Sequence, residues 1–187
     1  QDAEHMWKDK DSGDAIARWN AEAVTLIIQG FSAQARARRP KLLISVDSHP
    51  LARWTYLEGA RSIAWANRGL IDLIFDMKYM KEIDVAAVNG AKSQLLDPAK
   101  YVLLVGNYEA SPTDKQRVWA RDAPLVAELL KKSRLYSQEA GAAALYEYRF
   151  LSDEQINAIS CGPFNSAGNA GSAPPAHKMS PPRLLVR

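Results

Sequence analysis

Four short apolar runs, each ending abruptly in polar residues, limit most strongly what this chain can fold into. They are Lys41-Leu-Leu-Ile-Ser-Val-Asp47, Leu70-Ile-Asp-Leu-Ile-Phe-Asp-Met-Lys-Tyr79, Tyr101-Val-Leu-Leu-Val-Gly-Asn-Tyr108 and Gly141-Ala-Ala-Ala-Leu-Tyr-Glu-Tyr148. A run this short and this apolar suits a parallel strand covered on both faces. The runs begin near 42, 71, 101 and 142, at intervals of about 29, 30 and 41 residues. Each interval has room for a strand, a helix and two loops. Four such βα units in a row predict an α/β fold, a parallel sheet with helices outside. They are too few for a complete (β/α)8 barrel, which takes roughly 250 residues. A small open α/β sheet and the C-terminal half of a barrel both remain. The first helix has no strand before it, which favours the half-barrel.

Between the runs the helical signals are clear. Asp11 or Ser12 can cap a helix from about Gly13 to Arg38. Ile16, Trp19, Ala23, Val24, Ile27, Ile28, Phe31 and Ala35 give it one apolar stripe for packing. Pro40 ends it, and the basic run Arg36-Ala-Arg-Arg39 suits a helix C-terminus. Residues 51–68 read as a loop running into a helix stopped by Gly69. Ser111-Pro-Thr-Asp114 reads as a helix start, interrupted at Asp122-Ala-Pro124, where a second helix begins. Ser152 and Gln155 stand at capping-box spacing before a last short helix. The expected organisation is an irregular segment over 1–12, the α/β unit over 13–161, and a Gly/Pro/Ser-rich tail over 162–187.

Composition excludes several classes of function. With 24 basic and 21 acidic residues interspersed, the net charge of +3 is weak support for nucleic acid as a partner. The one cysteine, Cys161, excludes an intrachain disulfide and a cysteine-based metal site. His5, His49 and His177 lie too far apart for a sequence-local metal motif, so no metal is expected. No run reaches the roughly 18 apolar residues of a membrane span. No glycine-rich loop precedes a helix, so no dinucleotide or other cofactor is expected.

The order of the segments resembles a known family. Ala17-Arg-Trp-Asn20 on the first helix is followed by Arg39-Pro-Lys-Leu-Leu-Ile-Ser-Val46. Gly69-Leu-Ile-Asp72 with Met77-Lys-Tyr79 comes next, then Val105-Gly-Asn-Tyr108 and Gly141-Ala-Ala-Ala-Leu-Tyr146. Over about residues 14–160 the chain is similar to the C-terminal half of the glycosyl-hydrolase-like 10 (GHL10) barrel family. The resemblance implies a TIM-type (β/α)8 barrel of which residues 42–148 supply strands five to eight. It also implies action on polysaccharide glycosidic bonds and a secreted or extracytoplasmic location. The partners implied are a carbohydrate and the N-terminal half of the barrel. Two departures stand out. The family's proline before Met-x-Tyr is Asp76 here, and no residues match its acidic cluster at the end of the fourth strand.

Glycoside hydrolysis needs two carboxyl groups, about 5–5.5 Å apart for retention or roughly 6.5–9.5 Å for inversion. The strand-end carboxylates are Asp47, Asp76, Glu109 and Glu147. Asp47 and Asp76, on neighbouring strands, form the preferred catalytic pair. The competing reading pairs them with Lys78, Arg53 or Arg149 in a structural network. His49, Trp54, Lys78, Tyr79, Asn107, Tyr108, Glu109, Glu147 and Tyr148 are the candidate substrate contacts. The aromatic ones among them offer flat faces and hydroxyls to sugar rings. Trp7, Trp19, Trp65 and Trp119 are assigned to packing. A carbohydrate-binding or scaffold barrel without catalysis is the alternative to an enzyme.

Overall fold

The computed structural model describes residues 12–111, 113, 114, 117–162 and 164. The expected N-terminal irregular segment and most of the C-terminal tail, with His5, Trp7 and His177, lie outside them. Six α-helices, three single-turn 3-10 helices and six strands occupy the described residues. The α-helices and strands begin with α1 (Ser12–Arg38), β1 (Ser45–Ser48), α2 (Arg53–Leu57), α3 (Ser62–Asn67), β2 (Leu73–Lys78) and α4 (Val85–Ser93). The chain continues through β3 (Tyr101–Gly106), β4 (Tyr108–Ala110), β5 (Val118–Ala120), α5 (Ala123–Tyr136), β6 (Ala144–Tyr146) and α6 (Asp153–Cys161). Strands β1, β2, β3 and β6 form one sheet in that order, and every pair is parallel. The protein is therefore an α/β fold in which each sheet neighbour is the next βα unit along the chain.

Successive side chains of a strand point to opposite faces, so the register sorts them. Val46, Ile74, Tyr101, Leu103, Val105 and Leu145 share a first face. That face builds the core with Trp65 and Ala66 of α3, Val88 and Ala91 of α4, and Val126, Leu129 and Leu130 of α5. Leu73, Phe75, Met77, Val102 and Leu104 share the second face, in register with Asp47 of β1 and Ala144 and Tyr146 of β6. None of these belongs to the core that the helices build. The helices thus cover one side of the sheet.

Local chemistry fixes the ends of these elements. Asp84 caps α4 by accepting from the Ala87 amide at 3.0 Å, and Asp122 caps α5 by accepting from Leu125 at 3.2 Å. Gly69 follows α3 with φ +71°, the left-handed stop expected of it. Arg36 on α1 makes a two-pronged contact with Asp72 at 3.0 and 2.9 Å and also donates to the Gly69 carbonyl. The basic end of α1 is thereby tied to the approach to β2. Two serines of α5 reach into the sheet. Ser133 Oγ donates to the Leu103 carbonyl and accepts from the Ala144 amide, and Ser137 Oγ accepts from Leu103 N–H. They replace ladder bonds where β6 is only three residues long.

Three expectations change. The helix expected from Ser111 is a hairpin, β4 paired antiparallel with β5. Ser111 Oγ does accept from the amides of Thr113 and Asp114, as a helix cap would. The Ser111 amide instead donates to the Arg117 carbonyl, so the same hydroxyl bonds serve a turn. The single helix expected within 51–68 is two short helices with Gly59 between them. The stripe expected to pack α1 on one side is divided. Val24, Ile28 and Ala35 meet the core, while Trp19, Ile27 and Phe31 are exposed, so Trp19 is not a packing residue within the described structure.

Candidate functional site

The C-terminal strand ends gather the candidate residues, and the register separates them. Asp47 pairs with Phe75 in the β1–β2 ladder and stands exposed on the second face. Asp76 pairs with Ser48 and lies on the first face, 1% exposed. The two carboxylates chosen as a pair therefore point to opposite sides of the sheet. The intervals of strand ends are legible in a sequence, but face depends on register: Ser45 pairs with Leu73, an offset of 28, where run starts near 42 and 71 imply about 29.

Asp76 is held in a cluster of its own. Tyr101 Oη donates to Asp76 Oδ2 at 2.7 Å, and Lys78 Nζ lies 3.3 Å from Oδ1 without hydrogen-bond alignment. Burial is the main cause that raises its carboxyl above the ordinary value of 3.8, against the lowering influence of Tyr101, Lys78 and His49. His49 nearby is half-buried, and burial lowers its imidazole below 6.5. Its ring meets the edge of Trp54 at 4.9 Å, and Trp54 remains half exposed. A carboxyl raised in the folded state adds stability that is complete below its unfolded value and lost as pH rises through the folded one. Asp76→Asn keeps an acceptor for Tyr101 and removes the penalty of a buried charge, while Lys78 can turn to solvent. We expect this variant to be at least as stable as wild type at pH 7 and to lack the wild-type gain on mild acidification. Thermal unfolding from pH 4 to 8 measures both; parallel profiles for the two proteins would refute it.

The second face ends in an aromatic group. Tyr79 stacks on Tyr146 at 5.1 Å, Tyr108 lies 5.9 Å from Tyr79 and 6.1 Å from Tyr146, and Phe150 stacks on Tyr108 at 5.6 Å. Tyr79 and Tyr146 cover one face of each other, as do Tyr108 and Phe150, while Tyr146 stays partly exposed. Asp47 and Glu147 both act on Tyr79 electrostatically, after burial as the larger cause, and raise its phenol well above 10. Tyr108 is raised by burial and then by Glu147, and Tyr146 by its hydrogen bond with Glu147. All three phenols stay protonated at neutral pH and can donate. Asp47 thus influences Tyr79 and Glu147 influences all three tyrosines, while Glu147 is also paired with Arg149.

Beside the tyrosines lies a cavity of about 760 Å³, walled by Tyr79–Asp84 on one side and by Tyr108, Glu109 and Ala110 on the other. Arg121 also lines it. Glu109 is held by Lys81 at 2.9 Å and faces the Arg121 Nε at 3.6 Å.

Asn107 is placed differently from expectation. It is fully buried and joins strand ends rather than facing the cavity. Its Oδ1 accepts from the Glu147 amide at 2.6 Å, and its Nδ2 donates to Gln155 Oε1 at 3.2 Å. Gln155 Nε2 donates to the carbonyls of Arg121 and Asn107, and Arg121 donates to the carbonyls of Gly106 and Tyr79. One buried network thus fixes the ends of β2, β3 and β6 and the hairpin. Tyr148 projects into solvent, 88% exposed, and Tyr146 takes the place expected of it. Arg121 and Tyr146 carry no site expectation from the sequence, and Gln155, expected only as a capping-box residue, also ties this network with its side chain. Only the strand alternation that puts residue 146 on the face of residue 104 could have pointed to Tyr146. Trp119, assigned to packing, is 43% exposed.

Among the described residues no group of three or more His, Cys, Asp or Glu could hold a metal, and no helix is long and apolar enough to cross a membrane. Comparison with family models, with curated proteins and with solved structures returned no match.

Proposed function

We propose that the chain is the C-terminal half of a (β/α)8-type barrel and supplies part of the sugar cleft of a glycoside-hydrolase-like protein. The observation that carries this reading is the two-sidedness of the sheet. Strands follow one another in chain order, helices pack on one face only, and hydroxyls and carboxylates collect where the other face ends. A doubly wound sheet would carry helices on both faces and reverse its strand order at the ligand site. A barrel places its site at the C-terminal mouth of the face without helices. Within this reading Asp47 and Glu147 act on the sugar, and Asp76 supports the mouth from behind. The divergence of Asp47 and Asp76 favours, as a second reading, a barrel that holds a glycan without cleaving it.

The test is migration of the chain through gels containing soluble polysaccharides, with release of reducing ends followed in parallel. Retardation with release supports the hydrolase, and retardation alone supports the binding barrel. Unaltered migration in every gel would overturn both.

A further inference from the structure

The hairpin β4–β5 stands beside the aromatic group and borders the cavity through Glu109 and Ala110. In the ladder Glu109 is directly opposite Trp119. Residues opposite each other in an antiparallel pair project from the same face. Trp119 therefore rises from the side of the hairpin that carries Glu109, and nearly half of its surface is free. The rings of Tyr79 and Tyr146 are occupied by each other, but no described aromatic ring stacks on this indole. It is a flat apolar surface on the Glu109 side of the hairpin, free to take a sugar ring.

The charges of the wall narrow the ligand further. Lys81 and Arg121 are the cations lining the cavity, and both are directed to Glu109. Arg121 also spends its two terminal nitrogens on backbone carbonyls. Glu82 and Asp84 line the same cavity, and Asp84 is turned to the α4 amides as their cap. Among the described residues an anionic ligand would meet no cation without a partner in this lining and would face Glu82.

We infer that Trp119 and the cavity form a subsite for an uncharged sugar unit, continuing a glycan chain that the tyrosine group holds. This rests on the carbohydrate reading and deepens it: the substrate class is a neutral polysaccharide rather than a polyuronate or sulfated glycan. The hairpin is then a specificity arm, and removing its indole is expected to weaken retention about fivefold, which is about 1 kcal/mol.

The experiment compares wild type, Trp119→Ala and, as a control on α1, Trp19→Ala. Each is run by affinity electrophoresis in hydroxyethylcellulose, xylan, galactomannan and polygalacturonate. Circular dichroism of each variant confirms folding. The expected result is retardation of wild type and Trp19→Ala by at least one neutral glycan, with Trp119→Ala weakened fivefold or more. Equal retardation of Trp119→Ala would overturn the subsite and leave the carbohydrate function standing. Retardation by polygalacturonate alone would overturn its neutral character. Retardation of no protein by any glycan would remove the carbohydrate reading and this inference with it.

Discussion

Asn107→Leu is expected to lower unfolding stability by about 3 kcal/mol, within the range for leaving buried polar groups without partners. Leucine has nearly the shape of asparagine but offers nothing to the Glu147 amide, which loses its 2.6 Å acceptor. Gln155 Oε1 loses its donor in the same step. Both groups are in the interior where β3, β6, α6 and the hairpin meet, so water cannot readily replace what is lost. Urea unfolding followed by fluorescence measures the effect. A loss under about 0.5 kcal/mol would mean that the network is dispensable, since that is the scatter of neutral surface substitutions. The variant should also disturb Tyr146 and Glu147, the two residues that Asn107 anchors. Glycan retention should then fall with stability even though Asn107 is buried away from solvent.

Gly59→Ala should be comparably severe for a different reason. A Cβ at this position would lie 2.5 Å from the Asn20 carbonyl carbon, 2.6 Å from its oxygen and 2.8 Å from the Ala21 nitrogen. All three are backbone atoms of α1, so no side-chain rotation relieves the overlap. The residue also has φ +88°, a conformation that alanine adopts only at a cost. Asn20 Nδ2 donates to the Leu57 carbonyl at 3.0 Å, which holds α1 against this turn. Moving the helix would break that bond. The expected loss is about 3 kcal/mol, and a fall below 1 kcal/mol in the same urea experiment would show that the α1 contact is soft.

The strands were legible in the sequence because a parallel strand buried on both sides leaves an apolar run, and β3 is such a strand along its whole length. β1 and β2 begin later than the apolar runs, at Ser45 and Leu73 rather than Lys41 and Leu70. Ile44 and Ile71 are buried just outside the ladder while Leu42 and Leu43 are exposed, and composition alone does not separate these uses. The hairpin was hidden because Ser111 makes the hydrogen bonds of a helix cap. The site was legible as a place, the ends of four strands, and not as a geometry. Asp76 was the most conspicuous acid in the chain, yet strand parity turns it toward Tyr101 and the helices. Tyr146 and Arg121 had no signal of their own. An arginine between a tryptophan-bearing strand and a helix cap becomes a buried clamp only once the hairpin folds over the sheet.

The half-barrel reading accounts for one further feature. Trp19, Ile27 and Phe31 on α1 are exposed, and the outer edge of β1 has no partner strand among the described residues. In a barrel, that edge and that helix face are where the preceding βα unit packs. Unpaired edges and apolar helix faces of this kind favour association.

The most direct test of the account compares Asp47→Asn, Glu147→Gln and Asp76→Asn with wild type in a gel of the best-retained neutral polysaccharide. Asp47 stands exposed on the second face and acts electrostatically on Tyr79, and Glu147 acts on all three tyrosines, whereas Asp76 is buried on the first face. We predict at least tenfold weaker retention for Asp47→Asn and Glu147→Gln, about 1.4 kcal/mol each, and unchanged retention for Asp76→Asn. Loss of retention in Asp76→Asn alone, with the other two behaving as wild type, would place the ligand on the helix-covered side of the sheet and contradict the account.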